Sequence, residues 1–319
     1  MSAESSEEPP PGQVILKMRS MRVNIVISVN DKYIDAAKSM LFSLRKHVDE
    51  PITVWFLNHS VNMKKTKKFG TFLKKRCNMN LEIIELGTSF FDSMPLVLDD
   101  LFTIEIYYRI LIPWLLPKEV TRVLWLDADI IISGDISEFY HKDFEGNCMV
   151  VCEDEIQINR EEKWNERNSR MFGAKHRYFN SGVLLMNTQL MRQKYRSEDI
   201  YHISELIKNE LFFPDQDLLN YLYKDDILYE NYKVYNCSIY IMNKMSEEEF
   251  QSVRILHYYG KNKPWNVWNE ADPKMLYWKL QKQMGKVIVF PYLIYNCKKK
   301  FKNVPWLIKI YQFMRKLIG

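Results

Sequence analysis

Short apolar runs alternate with stretches of helical periodicity along most of this 319-residue chain, and few folds accept that alternation. Val23-Asn24-Ile25-Val26-Ile27-Ser28-Val29 is almost continuously apolar, the pattern of a strand covered on both faces in a parallel sheet. Residues 30–33 break it. Ile34, Ala37, Leu41, Leu44 and Val48 then fall on one helical stripe. The pattern predicts a second strand over 52–57, a basic surface helix over 63–75 and a third strand over 81–86. A helix over 104–116 stops at Pro117, and Val123-Leu124-Trp125-Leu126 is the next strand. Further strands are predicted over 149–152, 178–186 and 254–258. A long polar helix is predicted over 188–209, a helix start at Pro214, and a last helix over 273–284. Strands separated by helices predict an α/β fold with a mostly parallel sheet and helices on both faces. No repeat or linker interrupts residues 21–286, which read as one domain.

Charge excludes one class of partner. The formal charge is +5, but seven of the 45 Lys and Arg lie in residues 298–319 with no acid among them. The other 38, set against 40 Asp and Glu, leave the first 297 residues at −2. A nearly neutral body argues against a nucleic-acid-binding domain. Residues 1–20 open acidic and proline-rich, without the basic start and apolar run of a secretory signal, and read as a disordered leader. No apolar stretch reaches the roughly 20 residues that span a bilayer. Five scattered cysteines without a Cys-x-x-Cys pair fit a reducing, cytoplasmic setting.

Four segments carry candidate chemistry. Asp127-Ala128-Asp129 follows the Val-Leu-Trp-Leu run and precedes Ile-Ile-Ile. Two carboxylates at a strand end point into the crevice where open α/β sheets bind ligands, and they offer oxygen ligands to a hard divalent cation. A polar turn is the plainer reading, but acids flanked by buried runs need partners. Arg254-Ile-Leu-His257-Tyr-Tyr-Gly260-Lys-Asn-Lys263 ends a strand in a histidine that can complete a metal site or serve as a structural core residue. Gly260 permits close backbone approach, and Lys263 can reach a phosphate. Tyr178-Phe179-Asn180-Ser181-Gly182 enters a strand, and the Asn180 amide can both donate to and accept from sugar hydroxyls. Pro214-Asp215-Gln216-Asp217 opens a helix, where acids serve equally as caps.

In this order, the four segments resemble the family 8 retaining glycosyltransferases over about residues 23–265. The resemblance implies a GT-A fold that binds a UDP-sugar and Mn²⁺, with Mg²⁺ as the substitute ion. It implies Asp127, Asp129 and His257 as metal ligands. Ser28, Asn30 and Tyr33 would hold uridine. Asn30 stands where many members have aspartate, yet its side-chain oxygen still accepts from uracil N3–H. Arg109 and Ala128 join the donor-binding set, Gly260 and Lys263 take the diphosphate, and Asn180 contacts the donor sugar. Asp154, Asp215 and Gln216 would serve catalysis, Gln216 beneath the anomeric carbon. The implied reaction moves glucose or galactose to a glycan or lipid-linked oligosaccharide in lipopolysaccharide or other cell-surface polysaccharide synthesis. A nucleotidyltransferase is the competing enzyme reading, but residues 30–32 lack the glycine-rich loop such enzymes usually carry early in the chain. A non-catalytic binder is expected to have lost one of the three metal ligands, and all are present.

Residues 287–319 mix aromatics with the seven basic side chains, and 304–318 can form an amphipathic helix. Such helices lie at anionic membrane surfaces. The tail therefore predicts peripheral attachment to the inner face of the cytoplasmic membrane, unless it docks on the body instead.

Overall fold

The computed structural model describes residues 22–87, 103–155, 162–260, 263–266 and 275–287. The expected leader over 1–20, and the tail beyond Val287, lie outside the described residues.

The first strand, β1 (Val23–Ile27), leads into helix α1 (Ile34–Arg45), β2 (Ile52–Asn58), helix α2 (Met63–Phe72) and β3 (Met79–Glu85). Helix α3 (Tyr108–Leu115) precedes β4 (Arg122–Leu126), the short β5 (Ile130–Ile132), β6 (Met149–Glu153) and β7 (Phe179–Asn187). Helix α4 (Pro214–Tyr223), β8 (Ile227–Glu230), β9 (Cys237–Ser238), β10 (Ile255–His257) and helix α5 (Leu276–Gln283) complete the frame. Seven strands form one sheet in the order β3-β2-β1-β4-β7-β6-β8. Only β7 runs against its neighbours β4 and β6, so the sheet is mostly parallel, as the sequence predicts.

The continuous apolar runs have a direct structural cause. Successive side chains of a strand face opposite sides, and here both sides are covered. Ile25 and Ile27, Leu124 and Leu126, and Val183 and Leu185 enter one core layer with Leu41 and Leu44 of α1. Val26, Val123, Trp125, Leu184 and Met186 enter the other, with Ile110 and Leu111 of α3 and Leu218 and Leu219 of α4. Neither face is left for polar residues, so the runs cannot alternate.

The predicted helix over 188–209 is not one helix. It divides into Thr188–Lys194 and Ser197–Ile207, with a 3-10 turn at Lys208–Glu210. Tyr195 and Arg196 are extended between them. The Tyr195 ring packs edge-on to Tyr223 at 4.9 Å, and the Asp199 carboxylate accepts from the Arg196 backbone N–H at 2.8 Å, starting the second helix anew. The near-neutral body is also less even than its sum implies. Lys64, Lys65, Lys67, Lys68, Lys74, Lys75 and Arg76 are all exposed on α2 and the turn after it, with no acid among them.

Three strands of two to four residues escape sequence reading because they are too short to show a period: β5, β8 and β9. Two of these matter for function. A second sheet, β5-β10-β9, stands beside the main one. It pairs β10 antiparallel to β5, setting His257 opposite Ile130, and parallel to β9, setting His257 opposite Ser238.

Phe56 is fully buried and meets Phe69 edge-on at 5.7 Å. Phe56→Ala should cost about 3–5 kcal/mol in urea denaturation. Met63→Ala, at a side chain 69% exposed, should stay within about 0.5 kcal/mol.

Candidate active site

The carboxyl end of β4 carries Asp127-Ala128-Asp129, and β5 begins one residue later. The β5–β10 pairing then lays His257 across this turn. The backbone N–H of Tyr258 donates to the Asp129 carbonyl at 2.9 Å, fixing the crossing. The His257 Nε2 lies 3.2 Å from Asp129 Oδ1 and 3.7 Å from Asp127 Oδ2. Among the described residues these three form the one group whose ligand atoms all lie within 4.8 Å of one another.

Three observations fit this group to a divalent cation. His257 is 1% exposed, and its Nε2 has no hydrogen-bond partner although it faces two carboxylates. Its Nδ1 lies 2.8 Å from Asn236 Oδ1, and because an amide oxygen only accepts, Nδ1 carries a proton, which in the neutral ring leaves the lone pair on Nε2. Gly182 backs the cluster: a Cβ there would lie 2.2 Å from His257 Cε1 and 2.9 Å from Asp127 Oδ2. Two carboxylates and one imidazole suit a divalent cation.

Cationic side chains hold the acids in place. The Lys263 ammonium bonds to the Asp129 carboxylate, and to the Tyr258 carbonyl at 3.2 Å. Burial alone raises the Asp129 carboxyl, but the Lys263 ammonium opposes it, and the group lies well below the usual carboxylate range. Burial likewise lowers Lys263, and Asp129 reverses the balance, leaving the ammonium above its ordinary value. Arg109 is buried over the Trp125 ring at 4.8 Å and bridges two acids, 3.1 Å from Asp127 and 3.2 Å from Asp215. Trp125 Nε1–H donates to Asp127 Oδ1 at 2.9 Å. Burial raises the Asp215 carboxyl; Arg109 opposes the rise, and neighbouring Asp127 adds to it.

The other half of the site comes from β7, β6 and α4. Between Val151 and Cys152 of β6 the paired residue of β7 jumps from Leu184 to Asn180. Residues 181–183 thus leave the β6 register, and the Gly182 carbonyl accepts from Asp127 N–H at 3.0 Å instead. Ser181 Oγ donates to Asp215 Oδ2 at 3.1 Å and accepts from Arg109 at 2.9 Å, while Ser181 N–H donates to Gln216 Oε1 at 2.8 Å. Gln216 Nε2 and Asn180 Nδ2 both donate to Asp154 Oδ2, at 3.0 and 3.4 Å.

The acids of α4 divide in role. Asp217 is fully buried and accepts from the backbone N–H groups of Phe212 and Phe213, from Tyr178 Oη–H at 2.6 Å and from Arg167 at 2.7 Å. It fixes the first turn of α4. Asp215 and Gln216 are thereby presented to the site.

The structure brings together Asp127, Asp129, His257, Lys263, Arg109, Asp215, Gln216, Asp154 and Asn180. Three of the other expected residues have local roles. Ser28 Oγ donates to the Leu57 carbonyl at 2.8 Å, Asn30 Oδ1 accepts from Lys32 N–H at 3.0 Å, and Ala128 packs against the core. All belong to the same edge, since β1 and β4 run parallel with Val26 beside Trp125. Tyr33 meets Trp265 edge-on at 5.6 Å, and Gly260 has φ +82, the left-handed conformation that favours glycine. Sequence reasoning gave no role to Trp125, Ser181, Gly182 or Asn236. The run of small residues at 181–182 between Asn180 and Val183 is a signal for Ser181 and Gly182; Asn236 has none.

Residues 24–269 match the description "Glycosyl transferase family 8". The chain belongs to glycosyl transferase family 8. Its similarity to the Escherichia coli (strain K12) lipopolysaccharide 1,2-glucosyltransferase is 24% identity, spanning 81% of this chain and 77% of that one. The lipopolysaccharide 1,3-galactosyltransferase of Salmonella typhimurium is 28% identical over about half of each chain, 52% and 51%. Among solved structures, the galactosyltransferase LgtC in complex with donor and acceptor sugar analogs superposes with a TM-score of 0.71 at 21% identity, covering 84% of this chain and 98% of that one. The mixed sheet of this family 8 transferase is therefore the GT-A fold expected from its sequence.

Gly182→Ala forces a methyl group into His257 and Asp127. It should weaken divalent-cation binding at least about tenfold and lower stability by about 1–3 kcal/mol, read by cation titration and thermal melting. Asp217→Ala strands Arg167 and two backbone donors and should cost about 3–5 kcal/mol in denaturant titrations.

Proposed function

We propose that this family 8 transferase moves glucose or galactose from a UDP-sugar to a glycan hydroxyl with retention of anomeric configuration, assisted by Mn²⁺ or Mg²⁺. The observation that carries this reading is the buried, unpartnered His257 Nε2 facing Asp127 and Asp129. Those three residues would hold the ion, which when bound supplies positive charge to the leaving diphosphate. Lys263, already in the crevice, is placed to add its ammonium to that charge. The loop around Ser28, Asn30 and Tyr33, at the same sheet edge, is the proposed uridine cradle.

The sugar side follows from Asp154, Asn180, Asp215 and Gln216. As the glycosidic bond to UDP breaks, the ring gains oxocarbenium character. The Gln216 amide is a poor nucleophile, and its Oε1 is held by Ser181 N–H while its Nε2 is held by Asp154. Asp215 is likewise tied to Arg109 and Ser181. Groups so restrained can steady positive charge but are not free to attack. The acceptor hydroxyl therefore attacks on the face that UDP leaves. A glycosyl adduct trapped on Asp154 or Asp215 and seen by mass spectrometry would overturn this route.

The likeness to lipopolysaccharide glucosyl- and galactosyltransferases supports a cell-surface glycan acceptor, lipid-linked in the reading the basic tail favours. The same tail supports a cytoplasmic enzyme at the inner membrane face; among the described residues no helix is long and apolar enough to cross a membrane. A nucleotidyltransferase or a non-catalytic binder is separated by assay. A panel of UDP-sugars with Mn²⁺ should show hydrolysis of one hexose donor. Asp129→Ala should lower that rate by about a hundredfold or more while the chain stays folded; an unchanged rate would remove the metal assignment. Replacing Lys298, Lys299, Lys300 and Lys302 with alanine should reduce sedimentation with phosphatidylglycerol vesicles, and equal binding would reject the membrane role of the tail.

A further inference from the structure

A chain of side-chain amides runs from the metal group to the sugar side of the site. His257 Nδ1–H donates to Asn236 Oδ1 at 2.8 Å, Asn236 Nδ2–H donates to Asn180 Oδ1 at 3.0 Å, and Asn180 Nδ2–H donates to Asp154 Oδ2 at 3.4 Å. All four residues are buried, with Asn236 3% exposed. The direction of the chain is not a free choice. An ionised carboxylate only accepts, so Asp154 turns the Asn180 NH₂ toward itself. The backbone N–H of Gly182, which can only donate, reaches Asn180 Oδ1 at 3.0 Å and fixes the same orientation independently. The Asn180 oxygen then faces Asn236 and demands its NH₂, which leaves the Asn236 oxygen toward His257. An oxygen beside Nδ1 requires a proton there, and in the neutral ring Nε2 is left as a lone pair aimed at Asp127 and Asp129.

We infer that Asn236 is a positioning residue that fixes His257 in its cation-binding tautomer, with the setting imposed through Asn180 by Asp154 and Gly182. The inference rests on the proposed role of His257 as a cation ligand. Without Asn236 the ring is free to carry its proton on Nε2, where Asp129 at 3.2 Å and Asp127 at 3.7 Å would attract it. A ring protonated there has no lone pair to offer a cation. Partners of this kind, behind a ligating histidine, typically change metal affinity 10–100-fold. The site of Asn236 is equally specific. It stands one residue before β9 and two before Ser238, the residue paired with His257, and from there its side chain reaches the ring.

Two variants distinguish positioning from mere packing. Asn236→Ala removes the acceptor and should weaken Mn²⁺ binding, read by the loss of free-ion electron paramagnetic resonance signal, by about 10–100-fold. Asn236→Asp keeps an acceptor for Nδ1–H, but it sets a carboxylate oxygen against the Asn180 oxygen, which retains the Gly182 N–H, and adds one negative charge beside the cation group. It should bind Mn²⁺ within about threefold of wild type. Circular dichroism and melting curves confirm that each is folded. Long-range proton–nitrogen NMR of the metal-free chain reads the tautomer directly: wild type and Asn236→Asp should carry the His257 proton on Nδ1, and Asn236→Ala should shift it toward Nε2. Three results would overturn the inference: a wild-type proton on Nε2, unchanged Mn²⁺ affinity in Asn236→Ala, or an equal loss in both variants. If the wild-type chain takes up no Mn²⁺, the proposed metal reading fails, and the tautomer measurement alone decides what Asn236 does.

Discussion

Four carboxylates at the carboxyl edge of one sheet are the constraint on which the rest of the structure turns. Asp127, Asp129, Asp154 and Asp215 share a largely buried crevice, where unpaired charge is costly. They are held by a ring of contacts. Asp127 joins Asp215 through Arg109, Asp215 joins Gln216 through Ser181, and Gln216 reaches Asp154. Asp154 returns through Asn180, Asn236 and His257 to Asp129 and Asp127. Among the described residues, Arg109 bridges Asp127 and Asp215, and Lys263 pairs with Asp129. The His257 Nε2 that faces Asp127 and Asp129 marks where a divalent ion would add its charge.

The scaffold makes this arrangement by departing from regular structure in two places. One is the register jump between β6 and β7, which releases residues 181–183 from one neighbour so that Ser181 and Gly182 turn toward α4 and β4. The other is the small second sheet, whose only long-range task near the site is to set His257 and Asn236 against the Asp127–Asp129 turn. Both are short, polar or glycine-containing segments inserted among strands buried on both faces. Their cost is borne by those strands, whose alternating side chains fill two core layers.

This division explains what could be read from the sequence. Strands buried on both faces leave continuous apolar runs, so β1, β2, β4, β6 and β7 were legible, and with them the acids at their ends. Asp127 and Asp129 stood out because acids between apolar runs need partners, and His257 because it closes a strand. The segment 188–209 was misread because each half has helical periodicity, while the break depends on Tyr195 packing against Tyr223, a contact across 28 positions. In the second sheet only β10 was legible. Strands of two and three residues such as β9 and β5 carry no period, and β5 meets β10 across more than a hundred positions. Asn236 falls in that blind region, so its proximity to His257 is visible only in the folded chain.

The choice of amides for the link between His257 and Asp154 has a physical logic. A carboxylate at position 236 would also accept from His257 Nδ1–H, but it would add a fifth negative charge beside Asp127, Asp129, Asp154 and Asp215. An amide gives the same acceptor without that charge and also supplies a donor, so orientation passes from one residue to the next. Because each amide must offer its oxygen on one side and its NH₂ on the other, reversing one of them would oppose two donors or two acceptors. The buried chain therefore has a single low-energy setting. That setting is anchored at one end by a carboxylate and at Asn180 by a backbone N–H, neither of which can exchange roles. His257 and Asp154 are in this way oriented by the same residues, and a disturbance at either end reaches the other through no more than two side chains.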